Sequence, residues 1–204
     1  ILASLVGSEM CIRDSKNIIL TDCDGVLLDW ESKFIEWMGT KGFKPDPNEF
    51  GYEMAQRFGM KKPKVKELIR EFNESAWIGF LGPHKDAVYG MEQLSAKGYT
   101  FGAVTSLSED VYAKKMREMN LANLFTTSTF EFVECIDTGA DKDQSLLPYK
   151  DSNLYWIEDK PENAQLGADL GLNAIMLRHQ HNAYFDDARV KVVDNWAQLV
   201  NYVN

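Results

Sequence analysis

The stretch Asn17-Ile18-Ile19-Leu20-Thr21-Asp22-Cys23-Asp24-Gly25-Val26-Leu27-Leu28 decides the fold. Its first part is a short, continuous apolar run, the pattern of a strand buried on both faces of a parallel sheet. The run stops at two carboxylates and a glycine, as a strand does when it leaves the core at a working end. Working outward, residues 100–104, 154–157 and 173–177 read the same way, with a shorter fifth run at 190–193.

Helical patterns lie between these runs. Residues 85–97 carry Ala87, Val88, Met91 and Leu94 on one stripe, and Gly98 stops it. Ser108 can cap the next helix, with Val111, Tyr112, Met116 and Met119 as its apolar side. Pro161 opens a helix that runs to Gly171, and Trp196, Leu199, Val200 and Val203 mark the last one. Strand and helix alternate, which predicts an α/β fold: a doubly wound, Rossmann-like parallel sheet. Residues 30–83 break the alternation. Helical stretches near 31–42, 47–60 and 62–75 follow one another there without a good strand. They predict a small helical cap, inserted after the first strand into a core made of 16–29 and 84–204. Residues 1–15 (ILASLVGSEMCIRDS) lack a helical stripe, a cap and a basic signal-peptide start. The segment resembles a translated sequencing adapter and reads as a non-native or disordered extension.

Composition narrows the function classes. Eleven Phe, eight Tyr and five Trp are too many for a disordered chain, and no apolar run is long enough to span a membrane. A net charge of −9 argues against a stable nucleic-acid complex. Small anionic substrates stay open if local cations offset that field. Three Cys, at 11, 23 and 135, make no disulfide framework and suit a reducing cytosol, so a cytoplasmic location is expected. A homodimer is neither required nor excluded.

In an open parallel sheet, ligands bind outside the carboxyl ends of the strands. The residues directly after the apolar runs are Asp22-Cys23-Asp24-Gly25, Thr105-Ser106 and Glu158-Asp159. Two like charges about 4 Å apart repel by about 4 kcal/mol at an effective dielectric of 20, so grouped carboxylates need a cation among them. An oxygen-only ligand set favours a hard ion, Mg²⁺ by default. Lys142 can add a second positive charge, with Lys150 and Lys160 as rivals for its place. A DxDG also opens calcium loops, but Val26, Leu27 and Leu28 follow here where such a loop needs oxygen ligands.

These residues, in this order, resemble the haloacid dehalogenase superfamily of phosphotransferases over nearly all of 17–204. Asp22-Cys23-Asp24-Gly25-Val26-Leu27 is similar to the family's first motif, Thr105 to the second, Lys142 to the third and Glu158-Asp159 to the fourth. Within the superfamily the sequence is most similar to the 5′(3′)-deoxyribonucleotidases, through Asp29-Trp30, Thr105-Ser106, Glu158-Asp159-Lys160 and Asp194-Asn195-Trp196 with Leu199. Lys85-Asp86 departs from the Pro-Gly usual there, and residues 47–70 show no match.

The resemblance implies a Mg²⁺-dependent phosphomonoesterase acting on a small phosphorylated substrate, a nucleoside monophosphate above all. It implies Asp22 as the nucleophile, Asp24 as the proton donor and acceptor, and Asp22, Asp24 (main-chain carbonyl) and Asp159 as metal ligands. Thr105, Ser106 and Lys142 would hold phosphoryl oxygens, with Glu158 behind them or bound through water. Trp30 and Trp77, at the two ends of the insertion, would flank a nucleobase or simply pack the cap on the core. Two rival readings are a phosphatase for nucleic-acid ends and a catalytically silent binding module. His179 and His181 near Asp186-Asp187 read as a loop rather than a second metal site. The basic residues between Arg57 and Arg70 read as a solvated helix face.

Overall fold

The computed structural model describes residues 17–49 and 53–203, so the reading of residues 1–15 falls outside the described residues. Its strands are β1 (Ile18–Thr21), β2 (Thr100–Ser106), β3 (Phe130–Ile136), β4 (Tyr155–Glu158), β5 (Asn173–Leu177) and β6 (Lys191–Val193). They form one parallel sheet in the order β3-β2-β1-β4-β5-β6, the doubly wound arrangement expected. Alternate residues of each inner strand feed two separate cores. Ile19, Ala103, Ile157 and Ile175 face one, while Leu20, Val104, Trp156 and Ala174 face the other. Burial on both faces is the reason these strands read as unbroken apolar runs.

Strand β3 is absent from the sequence reading. It is an edge strand, mostly half-buried or exposed, and Glu131 and Glu134 interrupt its apolar residues. Charges on an edge strand hinder unwanted pairing with other chains, and they also hide the strand from a search for apolar runs.

Helix α1 (Trp30–Thr40), the short α2 (Met54–Arg57), α3 (Lys62–Asn73) and a 3₁₀ turn (Ala76–Phe80) fill the interval between β1 and α4 (Ala87–Ala96). Of the helix expected over 47–60, the described residues show only the four of Met54–Arg57. Pro45 and Pro47 in the approach explain part of the loss, since each removes a donor and restricts the residue before it. The two ends of the insertion are stitched together: Asp29 N–H donates to Gly82 O at 2.9 Å and His84 N–H to Leu27 O at 2.7 Å.

Helix α5 (Val111–Leu124) corrects the sequence reading twice. Its N-cap is Asp110, which accepts from the Tyr112 and Ala113 amides at 2.9 Å, and not Ser108. Its buried face is Ala113, Arg117, Asn120 and Leu121, while Val111, Tyr112 and Met119 lie exposed. Of the expected apolar stripe only Met116 packs against the core, half-buried, and a charged residue takes an inner position. The remaining helices are α6 (Asp143–Leu146), α7 (Pro161–Asp169) and α8 (Trp196–Tyr202). Among the described residues, no helix is long and apolar enough to cross a membrane.

Candidate active site

A cavity of about 760 Å³ opens at the carboxyl ends of β2, β1 and β4, beneath α1 and α3. Asp22, Asp24, Thr105, Ser106, Lys142 and Asp159 all line it, so residues far apart in sequence meet there.

Asp22 follows β1 directly and is buried. Its Oδ1 accepts from the Cys23 amide at 2.7 Å and lies 2.9 Å from Lys142 Nζ. Burial pushes its carboxyl up to about 7; Lys142 opposes the shift, and Glu158 and Asp24 add to it. Asp159 is likewise held well above the usual carboxylate range by burial and by Glu158 and Asp22. Glu158 behaves oppositely. Burial raises it, but Lys142 and a ring of donors outweigh burial and keep it ionised below the usual range. Those donors are Lys142 Nζ and Asn163 Nδ2 at 2.7 Å on Oε1, and the Asp159 and Lys160 amides at 2.8 Å on Oε2.

Lys142 is thus a buried bridge between Asp22 and Glu158, lying 5.1 Å from the centre of the Trp156 ring. Of its rivals, Lys160 lines the cavity and Lys150 does not. Glu158 holds Lys142 directly, with no water needed between them.

Asp22, Glu158 and Asp159 each place a carboxylate oxygen within 4.8 Å of the others, and Lys142 brings one positive charge against these three acids. His181 approaches Asp159 Oδ2 at 3.5 Å, but burial lowers the affinity of its imidazole for a proton. The shortage of positive charge and the oxygen-only donors fit a hard divalent cation. Glu158 is spent on its four donors, which leaves Asp22 and Asp159 as the acids to hold it. Both oxygens of the Asp24 side chain are paired with Arg117, at 2.6 and 3.0 Å, so its main-chain carbonyl is the oxygen it would turn to a metal.

Gly25 shapes the same corner. Its φ is +79°, and a Cβ there would sit 2.3 Å from Asp159 Oδ2, so no larger residue fits. From the other side, His179 Nε2 binds Gly25 O at 2.8 Å and Trp196 Nε1 donates to Val26 O at 3.2 Å.

The Thr105 hydroxyl is fully buried with no hydrogen-bond partner, although it lines the cavity. A buried polar group without a partner is costly and is expected where a ligand completes it. The Ser106 hydroxyl donates to Ala140 O at 2.9 Å and so also holds the loop after β3.

The two tryptophans separate. Trp30 lines the cavity, half-buried, stacked on Phe34 at 4.7 Å, with its indole N–H donated to Asn73 at 2.9 Å. Trp77 is not among the described residues lining the cavity; its ring lies 5.7 Å from Lys33 Nζ. Asn73 also donates to Leu107 O at 2.9 Å, and Arg70 pairs with Asp137 at 2.9 Å, so α3 is tied to the loops after β2 and β3.

Two groups escaped the sequence reading: Arg117, and the convergence of His84, His179 and His181 on one wall of the cavity. His179 stands 4.9 Å from His84 and 5.3 Å from His181, ring centre to ring centre. Burial holds all three below the usual histidine range, His179 at about 4 with help from its histidine neighbours. Asp187 is bound to Arg189 and Gln165, away from any shared ligand set with these histidines among the described residues. In the basic stretch, Arg57, Lys62, Lys64 and Arg70 are paired with carboxylates. Burial, more than the adjacent carboxylates, pushes the Cys23 thiol up, and Arg117 opposes the shift.

No family model matches the sequence. It is 32% identical over 127 residues to an uncharacterised 32.4 kDa protein of Enterobacteria phage T4. That stretch is 59% of this chain and 45% of the phage protein, so the chain spans less than half of that relative. Among solved structures, a predicted phosphatase from Clostridium acetobutylicum superposes with a TM-score of 0.62 at 14% identity, covering 92% of this chain and 97% of that one. CbbY from Rhodobacter sphaeroides, in complex with phosphate, gives 0.59 at 14% identity over 90% and 96%. A HAD family hydrolase from Deinococcus radiodurans R1, with bound phosphate and sodium, gives 0.56 at 17% identity over 90% and 93%. At these identities the likeness is one of fold, and the fold of this chain is that of the haloacid dehalogenase-type hydrolases.

Proposed function

We propose that this chain is a phosphomonoesterase that works through a phosphorylated Asp22. The observation that carries the reading is the buried Asp22 carboxylate at the cavity floor, held by Lys142, with the unpartnered Thr105 hydroxyl beside it in the same wall. A free Asp22 oxygen bonds to phosphorus while the ester P–O bond breaks, and the leaving oxygen takes a proton from Asp24. Water then attacks the same phosphorus and returns a proton to Asp24. Phosphate departs and the Asp22 carboxylate is restored. Lys142 and the Thr105 hydroxyl hold the phosphoryl oxygens as their charge shifts. Asp22, Asp159 and the Asp24 carbonyl would hold a divalent cation, Mg²⁺ in this reading, which when bound would supply the positive charge that lets an anionic acid approach an anionic ester.

The cavity supports a reading of the substrate class. Its volume suits a small molecule of nucleotide size. Trp30 and three neutral imidazoles offer flat faces for a base, and Leu28, Val65 and Ile69 give apolar wall. We therefore read the substrate as a nucleoside monophosphate. The test is phosphate release from p-nitrophenyl phosphate, nucleotides, sugar phosphates and phosphorylated DNA ends, with Mg²⁺, Ca²⁺ or excess EDTA. Release that needs Mg²⁺ and is fastest on a nucleotide is expected. Full release in EDTA would remove the metal, and no release from any ester would favour a binding module.

Trp30→Ala should lower kcat/KM on deoxyuridine monophosphate by about tenfold to a hundredfold, the worth of one stacked base. Acetyl phosphate, with no base, should lose much less. Equal losses on both would mean that Trp30 serves only its bonds to Asn73 and Phe34. Trp77→Ala, off the cavity, should change both substrates alike.

A further inference from the structure

The walls of the cavity carry positive charge that its floor does not use. Lys66, Lys85 and Lys160 line the cavity, and none has a carboxylate at ion-pair distance among the described residues. The acids of the walls are already occupied. Glu31 pairs with Arg57, Glu53 pairs with Lys62, and Asp29 accepts the Ser32 amide at the start of α1. The floor has Lys142 for one phosphoryl group. In a chain of net charge −9, further unbalanced lysines around the same cavity mark its walls for another anion. Lys66 is partly spent, because its charge acts on Asp137. Lys85 and Lys160 are not.

These two lysines bracket the histidine row. His84, directly before Lys85, is 4.9 Å from His179, and His179 is 5.3 Å from His181. His181 Nε2 in turn lies 3.1 Å from the main-chain oxygen of Asp159, directly before Lys160. The main chain is fixed at both ends: His84 N–H donates to Leu27 O at 2.7 Å, and Lys160 N–H to Glu158 Oε2 at 2.8 Å. Asp86, after Lys85, has a φ of +62°, a left-handed conformation unfavourable for a residue with a Cβ, so the turn that carries Lys85 is held against strain. His84 Nδ1 is buried with no partner, as expected where a ligand completes it. The flexible four-carbon stems let both ammonium groups reach one anion from the two ends of the row. We propose that this wall is a second anion subsite, which takes a phosphate group other than the one at Asp22. With Trp30 offering a face for the base, the ligand is a nucleoside monophosphate that carries a second phosphate on its sugar, a nucleoside 3′,5′-bisphosphate. That this ligand is the substrate rests on the phosphatase reading above; that the wall binds its second phosphate does not.

The experiment is a calorimetric titration with deoxyuridine monophosphate and with deoxyuridine 3′,5′-bisphosphate. It uses Asp22→Asn in Mg²⁺ at low salt, so that neither ligand is consumed. The bisphosphate should bind at least about tenfold more tightly, since its extra group gains charge-assisted bonds. That advantage should shrink as salt rises and screens the lysines. Adding Lys85→Gln or Lys160→Gln should each cut it severalfold, and the two together should erase it while the monophosphate binds as before. Lys66→Gln and Lys150→Gln remove the same charge from α3 and from outside the cavity, and should leave the advantage within about twofold. Equal binding of the two ligands would overturn the proposal, as would equal losses in all four lysine variants, which would mean a general field and no subsite. Loss of monophosphate binding in the double variant would overturn it too, because the lysines would then serve the fold or the shared part of the ligand. Phosphate release by wild type is followed in parallel. A binding advantage with no release from either ligand would remove the phosphatase reading and leave the subsite standing. Release from both with equal binding would do the reverse.

Discussion

Asp22→Asn is expected to abolish phosphate release while leaving the chain folded, and to make the metal-free protein no less stable than wild type at about pH 8. The activity loss follows from the proposed chemistry: the amide keeps the shape of the side chain and removes the charged oxygen that the proposal has attack phosphorus. A drop of at least about a thousandfold is expected, more than 4 kcal/mol of transition-state stabilisation. The stability effect follows from burial. Asp22 is pushed up to about 7 in the folded chain from an ordinary value of 3.8. Between those values the folded state holds a proton that the unfolded state has already lost. Stability from this group is therefore highest in acid, falls as pH rises from about 4 to about 7, and stays low above that.

An asparagine carries no such slope, and its Oδ1 can still accept from the Cys23 amide. Lys142 keeps Glu158 as its counter-ion. Thermal unfolding without metal across that range should show wild type losing stability relative to the variant as pH rises. Mg²⁺ should stabilise wild type more than Asp22→Asn. Phosphate release within about tenfold of wild type would sink Asp22 as the nucleophile. A variant markedly less stable at about pH 8 would sink the account of a destabilised, functional carboxylate.

How much of this was legible in the sequence depended on which way the side chains faced. Strands β1, β4 and β5 could be read because both of their faces are buried, so apolar residues run unbroken to the carboxyl end. The acids at the ends of β1 and β4 stood out by contrast. Strand β3 could not, because it sits at the edge and alternates Glu131 and Glu134 with aromatic and aliphatic residues. Arg117 was hidden for a related reason. The stripe of Val111, Tyr112, Met116 and Met119 suggests an apolar inner face, yet Val111 and Tyr112 are 60% and 73% exposed. The inner face exists to reach Asp24, an interaction between residues 93 apart that no periodicity carries. One signal was present: Ala113, Arg117 and Leu121 share a face at helical spacing, and an arginine between two small or apolar residues marks a buried charge in want of a partner. The histidine wall gave less warning still, because His84 lies on the return from the insertion and His179 and His181 beyond β5.

Lys142→Met should be the most damaging single change to stability. The ammonium is 1% exposed and lies 2.9 Å from Asp22 and 2.7 Å from Glu158, whose side chains are 12% and 0% exposed. Methionine fills most of the volume but leaves Asp22, Glu158 and Asp159 clustered with no lysine among them. Removing one partner of a buried ion pair costs about 3–5 kcal/mol, which for a chain of this size lowers Tm by on the order of 10 °C. The loss should shrink as pH falls, since protons can then neutralise the acids, and Mg²⁺ should restore part of it by the same logic. Lys142→Arg should not rescue the protein: the guanidinium is a wide planar fork, and the lysine nitrogen sits in a closed slot over Trp156. Turnover should vanish in both variants if the proposed mechanism holds, since it has Lys142 anchor the attacking acid and hold the phosphoryl oxygens. Tm would be followed by calorimetry in EDTA and in Mg²⁺ at acid and neutral pH. A Met variant within about 2 °C of wild type in EDTA at neutral pH would show that the cluster holds less negative charge than its three carboxylates imply.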